Sequence, residues 1–202
     1  MGKTYEKKKG AEMKIILCDN NENMIYEWKR VFSNHENINC ILGDYCKTAE
    51  NENVDALVSP ANSFGIMDGG LDLYIQKFYL KNNINIQDLV QEETKRLFYG
   101  IQTVGSSIFI KNDFINLIHT PTMKVPGQIN DLNAIYFATR NTIICARENG
   151  VKKIIIPAFG AGIGNIKYSI VARIMEDAIT SLDLNYFKDW KDVNYLVDKE
   201  FI

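Results

Sequence analysis

Short apolar runs alternate along the chain with longer segments in which apolar residues recur every three or four positions. The short runs predict β-strands at 14–18, 38–42, 54–58, 108–110, 114–118 and 151–156. The periodic segments predict helices at 20–32, 70–80, 86–99, 130–147 and 168–182. Strands that alternate with helices predict the α/β class, with a mixed or mostly parallel central sheet between layers of helices.

Two segments refine this prediction. Ile154, Ile155 and Ile156 follow one another without a polar residue between them, which is typical of a strand in the centre of a sheet that is covered on both faces. The runs 108–110 and 114–118 are separated by Lys-Asn-Asp, a turn signal that predicts a hairpin.

Residues 1–12 are polar, rich in lysine and without periodicity, so we expect a flexible N-terminal tail or an expression remnant there. Residues 13–202 have the length of one domain. Its last part, 185–202, mixes aromatic and charged residues and is expected to dock as a short helix.

Composition narrows the possible functions. The formal net charge is −2 and the lysines are dispersed, so the basic footprint of a duplex-binding protein is missing. The four cysteines form no CxxC pair and, with two histidines, no zinc spacing, which predicts free thiols and a cytoplasmic location. No apolar run reaches the roughly 20 residues that cross a bilayer, so no membrane partner is expected.

Glycine-rich loops follow two of the predicted strands: 59–73 and 159–164. In α/β sheets ligands bind beyond the carboxyl ends of the strands, where such loops lie. Glycine allows a backbone to approach a ligand closely, and successive N–H groups beside a helix N-terminus cradle anions. Both loops therefore predict phosphate binding, with a simple tight turn as the alternative for each. The second loop is not a dinucleotide fingerprint, because Asn165 replaces its third glycine.

Four segments, taken together, resemble one known family. They are Gly43-Asp44-Tyr45-Cys46, 54–62 (VDALVSPAN), Gly69-Gly70-Leu71-Asp72 and 156–164 (IPAFGAGIG). Their order, spacing and strand contexts look like the macrodomain family of ADP-ribose-binding modules, over about residues 13–182. The resemblance implies a three-layer α/β/α fold with a mixed central sheet. Residues 121–126 (PTMKVP) are further similar to a bacterial and phage branch of macrodomain-like proteins.

The resemblance also implies which residues contact a ligand. Asp44 would accept a hydrogen bond from the adenine amino group as a buried carboxylate, unless it only caps a local turn. Asn62 would face the distal ribose, unless it only forms an Asx-turn. The full implied ligand-binding set is Asp44, Tyr45, Ala61, Asn62, Gly69, Gly70, Phe159, Gly160, Ala161, Gly162, Ile163 and Gly164.

Asn62 and Asp72 are the catalytic residues that the resemblance implies. In hydrolytic members the aspartate at the position of Asp72 helps to position or activate water that attacks the anomeric carbon of the distal ribose. The alternative is an aspartate that only stabilises a helix N-terminus. Asp68 stands where the family has glycine, and the usual aromatic of the second loop is missing, so that Phe159 or Phe64 would have to stack instead. These departures weaken the case for hydrolysis more than the case for binding.

The expected function is therefore binding of ADP-ribose or a derivative, with hydrolysis of ADP-ribose from a modified acceptor left open. The alternatives are a non-catalytic reader of ADP-ribosylated partners and an ADP-ribose 1″-phosphate phosphatase. No metal or other cofactor is implied. The expected partner is ADP-ribose or an ADP-ribosylated macromolecule, and nucleic acid enters only as a modified acceptor.

Overall fold

Six strands and six helices follow one another in the residues that the computed structural model describes, 13–182 and 189–191. The strands are β1 (Lys14–Asp19), β2 (Ile38–Leu42), β3 (Ala56–Ser59), β4 (Ile108–Ile110), β5 (Asn116–His119) and β6 (Lys153–Ile156). The helices are α1 (Glu22–Val31), α2 (Tyr45–Asn51), α3 (Gly70–Leu80), α4 (Ile86–Phe98), α5 (Asn133–Glu148) and α6 (Tyr168–Thr180). The expected tail at 1–12 and most of the expected helix in 185–202 lie outside the described residues.

The strands form one sheet in the order β2-β1-β6-β3-β5-β4. All neighbours pair in parallel except β4 and β5, which pair as an antiparallel hairpin. The mixed sheet and the hairpin are thus confirmed. Ile154, Ile155 and Ile156 are completely buried in β6, between β1 and β3, which confirms the predicted central strand.

Helices cover both faces of the sheet, each over its own apolar cluster. On one face α1, α5 and α6 pack through residues such as Trp28, Ile143 and Met175. On the other face α2, α3 and α4 pack through residues such as Ile75 and Val90. This arrangement is the expected three-layer α/β/α fold. None of the described helices is long and apolar enough to cross a membrane.

The structure differs from the sequence prediction at β3 and α2. The third strand begins at Ala56 rather than at Val54, whose N–H donates a hydrogen bond of 3.2 Å to the Ala49 carbonyl in α2. The Asp55 side chain accepts hydrogen bonds of 2.8 Å from the backbone N–H groups of Lys152 and Lys153. Helix α2 was not predicted. It is only seven residues long and shows no apolar period, and the Asp44 side chain that begins it accepts a hydrogen bond from the Lys47 N–H.

Candidate functional site

A cleft of about 770 Å³ lies across the carboxyl ends of the strands. Its walls are the loops that follow β1, β2, β3, β5 and β6, together with the first turns of α3 and α6. The strand order places the loops after β2 and β1 at one end of the cleft and the loop after β5 towards the other. The two glycine-rich loops follow β6 and β3, so they lie between these ends.

Asn62 shapes the first glycine-rich loop from inside. Its Oδ1 accepts hydrogen bonds from the N–H groups of Phe64 (3.1 Å) and Ile66 (3.3 Å), and its Nδ2 donates to the Ile66 carbonyl (2.7 Å). The Asx-turn is therefore present, and the residue also lines the cleft. A short bridge to Met123 fixes the loop against the segment that follows β5. One amide hydrogen of Asn62 remains without a partner among these bonds.

Helix α3 begins in the cleft wall. Gly69 is its N-cap and provides no side chain to cap the first turn, while Gly70 has a φ of +56° that favours glycine. The first N–H groups of a helix have no partner within the helix, and they carry part of the positive end of its dipole. Because Gly69 to Asp72 line the cleft, this helix end can accept an anionic group there.

Asp72 lies in the first turn of α3 and accepts a hydrogen bond of 2.5 Å from the Ser59 hydroxyl at the end of β3. Burial raises the pKa of this carboxyl to about 6, against the lowering effect of the Ser59 hydroxyl and with a further increase from the charge of Asp68. Near neutral pH the carboxylate is therefore a much better proton acceptor than an ordinary aspartate.

The second glycine-rich loop contains glycines of two kinds. Gly160 has a φ of +80°, and a Cβ there would lie 2.9 Å from Ile135 Cδ1. A Cβ on Gly164 would lie 2.6 Å from the Gly160 carbonyl oxygen. The fold itself therefore requires these two glycines.

Gly162 differs, as does Gly69 in the first loop. A Cβ built on either residue meets no heavy atom within 4 Å, and neither has a positive φ. Both line the cleft. Nothing in the fold requires glycine at these positions, whereas a ligand that lies against the backbone would require it.

The two loops approach each other across the cleft at Gly70 and Ile163. A Cβ built on Gly70 would lie 3.9 Å from Ile163 Cδ1, which is ordinary van der Waals contact. Ile163 is otherwise exposed, at 57% of its surface. The loops can therefore contact opposite sides of one ligand.

Asp44 lines the cleft but is half-exposed, so the expectation of a buried carboxylate is wrong. One oxygen caps α2 by accepting from the Lys47 N–H (2.9 Å), and the other accepts from the Tyr74 hydroxyl (2.6 Å). Partial burial would raise the pKa of Asp44, but these hydrogen bonds and the Lys47 charge outweigh it and hold the pKa below its usual value.

Three residues of the implied set serve the fold. The Tyr45 hydroxyl is held by the backbone of Val58 and Ile155, at 2.8 and 2.9 Å from their carbonyl oxygens. Phe159 is completely buried in the core and does not line the cleft, so a stacking role for its ring is wrong. Ala61 also lies behind the wall, because its backbone pairs with the segment after β5. All other members of the implied set, Tyr45 included, line the cleft.

Several lining residues were missed by the sequence reasoning. Asp19 ends β1 and Asn21 follows it, and the Asn21 amide donates a hydrogen bond of 3.0 Å to the Tyr168 hydroxyl at the start of α6. The end of the first strand could have indicated Asp19 and Asn21, since it reaches the same edge of the sheet. Tyr74 and Tyr168 lie on helices, and no local signal in the sequence indicates them.

The charged side chains that line the cleft are all acidic. The charged side chains that line it are Asp19, Asp44, Asp68 and Asp72, with no lysine or arginine from the described part of the chain. An anionic group in the cleft must therefore be held by backbone N–H groups and the helix end rather than by ion pairs. The residues described by the structure contain no group of three or more His, Cys, Asp or Glu side chains that could hold a metal ion.

The fold and site define an α/β protein with a ligand cleft at the carboxyl edge of its sheet. The sequence profile of the Macro domain matches residues 58–175, and the chain belongs to this family. The resemblance in the sequence is thereby confirmed.

Individual proteins from other organisms are similar to this chain in sequence or in structure. An uncharacterized protein of Aquifex aeolicus (strain VF5) is 26% identical over 129 residues, which are 64% of this chain and 74% of that protein. The macrodomain of Mycobacterium tuberculosis DarG has a TM-score of 0.56 and 22% identity, over 69% of this chain and 88% of that one. Thermosipho africanus DarTG, solved in complex with ADP-ribose, has a TM-score of 0.56 and 16% identity, over 90% of this chain and 57% of that one. The structural likenesses show the shared fold.

Proposed function

We propose that the cleft binds ADP-ribose or a derivative of it. The observation that carries this proposal is the pair Gly69 and Gly162, which line the cleft from its two loops, and at which the fold requires no glycine. A ligand held by the backbone between the loops accounts for both. A side chain at either position would occupy the space of that ligand.

A diphosphate fits the chemistry between the loops. The uncapped first turn of α3 offers N–H groups and a partial positive charge, which stabilise a phosphate oxygen. Asp68 is exposed, so its charge is partly screened by solvent. Thermosipho africanus DarTG, which has the same fold, was solved in complex with ADP-ribose, and this supports the proposed ligand.

The pair Ser59 and Asp72 favours an enzyme over a simple reader. In the proposed reaction Asp72 accepts a proton from a water molecule whose oxygen forms a bond to the anomeric carbon of the distal ribose. The bond between that carbon and the acceptor breaks, and the acceptor leaves with the bonding electrons and takes up the proton that Asp72 accepted. The raised pKa of Asp72, about 6, suits a group that takes up and releases protons near neutral pH. The proposed substrate is an ADP-ribosylated acceptor, and a cytoplasmic location stays a prediction.

Calorimetry with ADP-ribose, ADP and AMP tests the binding. We expect ADP-ribose to bind most tightly, and Gly69→Ala and Gly162→Ala to weaken it at least tenfold without lowering the melting temperature. Gly127→Ala is the matched control, because a Cβ there has only one neighbour, at 3.9 Å, and Gly127 does not line the cleft. No heat with any of the three ligands at millimolar concentration would refute the proposal.

Turnover assays separate an enzyme from a reader. Mono-ADP-ribosylated protein, ADP-ribosylated DNA and ADP-ribose 1″-phosphate are offered as substrates to the native chain and to Asp72→Ala. Hydrolysis by the native chain that Asp72→Ala loses, while it still binds ADP-ribose, supports the mechanism. Binding without turnover of any substrate leaves the reader as the function.

A further inference from the structure

Ser63 attaches the first glycine-rich loop to the rest of the protein. It is buried and follows Asn62, whose side chain shapes that loop and lines the cleft. The Ser63 N–H donates a hydrogen bond of 3.1 Å to the Met123 carbonyl, and the Ser63 carbonyl accepts one of 2.8 Å from the Gln102 N–H. Two separate segments therefore fix the backbone beside Asn62, one that follows β5 and one that follows α4.

The side chain of Gln102 fixes the second of these segments. It is completely buried and does not line the cleft. Its Nε2 donates hydrogen bonds to the carbonyl oxygens of Ser106 (3.1 Å) and His119 (3.3 Å), and its Oε1 lies 2.7 Å from His119 Nδ1. Because the amide oxygen can only accept, His119 Nδ1 carries a proton and donates it. His119 is the last residue of β5, so these bonds tie Gln102 to the sheet.

His119 is suited to this contact, although it is not an economical core residue. The side chain is completely buried, and burial lowers the pKa of the imidazole to about 3, so the ring is neutral near pH 7. Since Nδ1 donates, Nε2 must accept, yet this buried atom has no hydrogen-bond partner among the residues that the structure describes. An unpaired buried acceptor costs free energy, which two apolar side chains would avoid. Stability alone therefore does not account for the polar pair.

We propose that Gln102 is a positioning residue for the ligand cleft. Bound to His119, its side chain holds its own N–H against the Ser63 carbonyl and thereby keeps Asn62 in place in the cleft wall. This inference goes beyond the proposed function and rests on it for the identity of the ligand. A loop that is already held in its binding conformation loses less conformational entropy when the ligand binds. Loosening the anchor should therefore weaken binding, although Gln102 does not reach the ligand.

Gln102→Met tests the anchor, because methionine keeps the length of the side chain and makes none of its hydrogen bonds. The N–H groups of Phe64 and Ile66, which Asn62 accepts, report on the loop. Relative to the amides of β3, their hydrogen exchange measured by NMR should become about tenfold faster. Calorimetry at a temperature where the variant is folded should show an affinity for ADP-ribose about tenfold below the native value.

Tyr79→Phe is the matched control. It removes a buried hydroxyl that donates a hydrogen bond of 2.7 Å to the Ile115 carbonyl, just before β5 and at the edge of the sheet opposite the cleft. It should lower the stability of the chain but leave loop exchange, relative to β3, and the affinity for ADP-ribose at their native values. Native loop exchange and native affinity in folded Gln102→Met would overturn the inference.

The double variant Gln102→Met/His119→Phe separates positioning from stability. It replaces both members of the buried pair by apolar groups of similar size and removes the unpaired Nε2, so it should be more stable than Gln102→Met alone. The hydrogen bonds that hold Gln102 are still lost, so we expect the affinity for ADP-ribose to stay about tenfold below native. Recovery of native affinity together with stability would show that the pair serves the core alone, and would overturn the inference.

The native chain provides a test that no folding defect can obscure. If the anchor and the ligand favour the same loop conformation, saturating ADP-ribose should slow the exchange of the Gln102 N–H together with that of Phe64 and Ile66. Unchanged exchange of the Gln102 N–H in the ligand-bound chain would overturn the inference. If the native chain binds no ADP-ribose, the proposed function fails, whereas loop exchange in ligand-free Gln102→Met still decides whether Gln102 holds the loop.

Discussion

The hydroxyl of Ser59 and the carboxylate of Asp72 lie 2.5 Å apart, and they join the end of β3 to the first turn of α3. Ser59 is completely buried, so its hydroxyl group has no access to solvent. An aspartate at a helix N-terminus normally has a lowered pKa, because the dipole stabilises its charge. Here burial has the larger effect and the pKa rises to about 6. The structure thus holds Asp72 in a state that costs stability and suits proton transfer.

This cost leads to a prediction for Asp72→Asn. The pKa of Asp72 rises from the ordinary aspartate value of 3.8 to about 6 in the folded chain, so the folded state binds the proton more tightly. The stability from this proton is fully present below about pH 4 and is lost as the pH rises through about 6. Asparagine can still accept from Ser59 and carries no charge. We therefore expect Asp72→Asn to stabilise the chain at pH 7.5 by about 1–3 kcal/mol.

Urea unfolding at pH 4.5 and pH 7.5 measures this effect. The stability difference between variant and native chain should be clearly larger at pH 7.5 than at pH 4.5, where only part of the proton's contribution has been lost. Asp113→Asn, in an exposed turn, should show no such difference at either pH. An equal change at both pH values would show that Asp72 does not titrate in this window.

Asp68→Asn is predicted to strengthen ADP-ribose binding. Asp68 adds a like charge to a cleft that already contains three other carboxylates and no described lysine or arginine. Its removal should raise the affinity for a dianionic ligand about twofold to tenfold at low salt and reduce the salt dependence of binding. It should also lower the pKa of Asp72, which the charge of Asp68 raises.

Calorimetry at 20 mM and 300 mM salt checks this prediction. The native chain should bind ADP-ribose more tightly at the higher salt concentration, because salt screens the repulsion. Weaker binding by Asp68→Asn would instead assign the side chain a direct contact with the ligand.

The second loop gives a prediction about stability. Gly160→Ala introduces a Cβ 2.9 Å from Ile135 Cδ1 at a φ of +80°, which should destabilise the chain by about 1–3 kcal/mol. Gly162→Ala, two residues away, meets open space and should leave the free energy of unfolding within about 0.5 kcal/mol of the native value. Denaturant titrations of the two variants compare them directly. Equal losses of stability would show that Gly162 also serves the fold.

The sequence was informative wherever one local pattern decided the structure. The run Ile154 to Ile156 predicted a central strand, and the glycine-rich loops after two strands predicted the middle of the cleft. Helix α2 was not predicted, because it is short and its apolar residues show no helical period. Its Tyr45 is buried through contacts of the hydroxyl with the backbone of β3 and β6, and such tertiary contacts leave no pattern in the local sequence.

Local patterns of this kind are not sufficient to identify which residues form the cleft walls. Phe159 looked equally suited to a core and to a ligand surface, and only the packing of the helices around it decides for the core. Tyr74 and Tyr168 lie near the starts of α3 and α6, and their hydrogen-bond partners Asp44 and Asn21 are 30 and 147 residues away in sequence.

The hydroxyl of Tyr45 provides the last prediction. It lies 2.8 Å from the Val58 carbonyl, 2.9 Å from the Ile155 carbonyl and 3.1 Å from the Val58 N–H, in a fully buried position between β3 and β6. Tyr45→Phe leaves these backbone groups without that partner, so we expect a loss of about 1–3 kcal/mol in the free energy of unfolding. Tyr26→Phe is the matched control, since Tyr26 is 67% exposed and should change stability little. Because the hydroxyl bonds only to the fold, Tyr45→Phe should bind ADP-ribose with native affinity at a temperature where it is folded. A selective loss of binding with native stability would instead place the hydroxyl at the ligand.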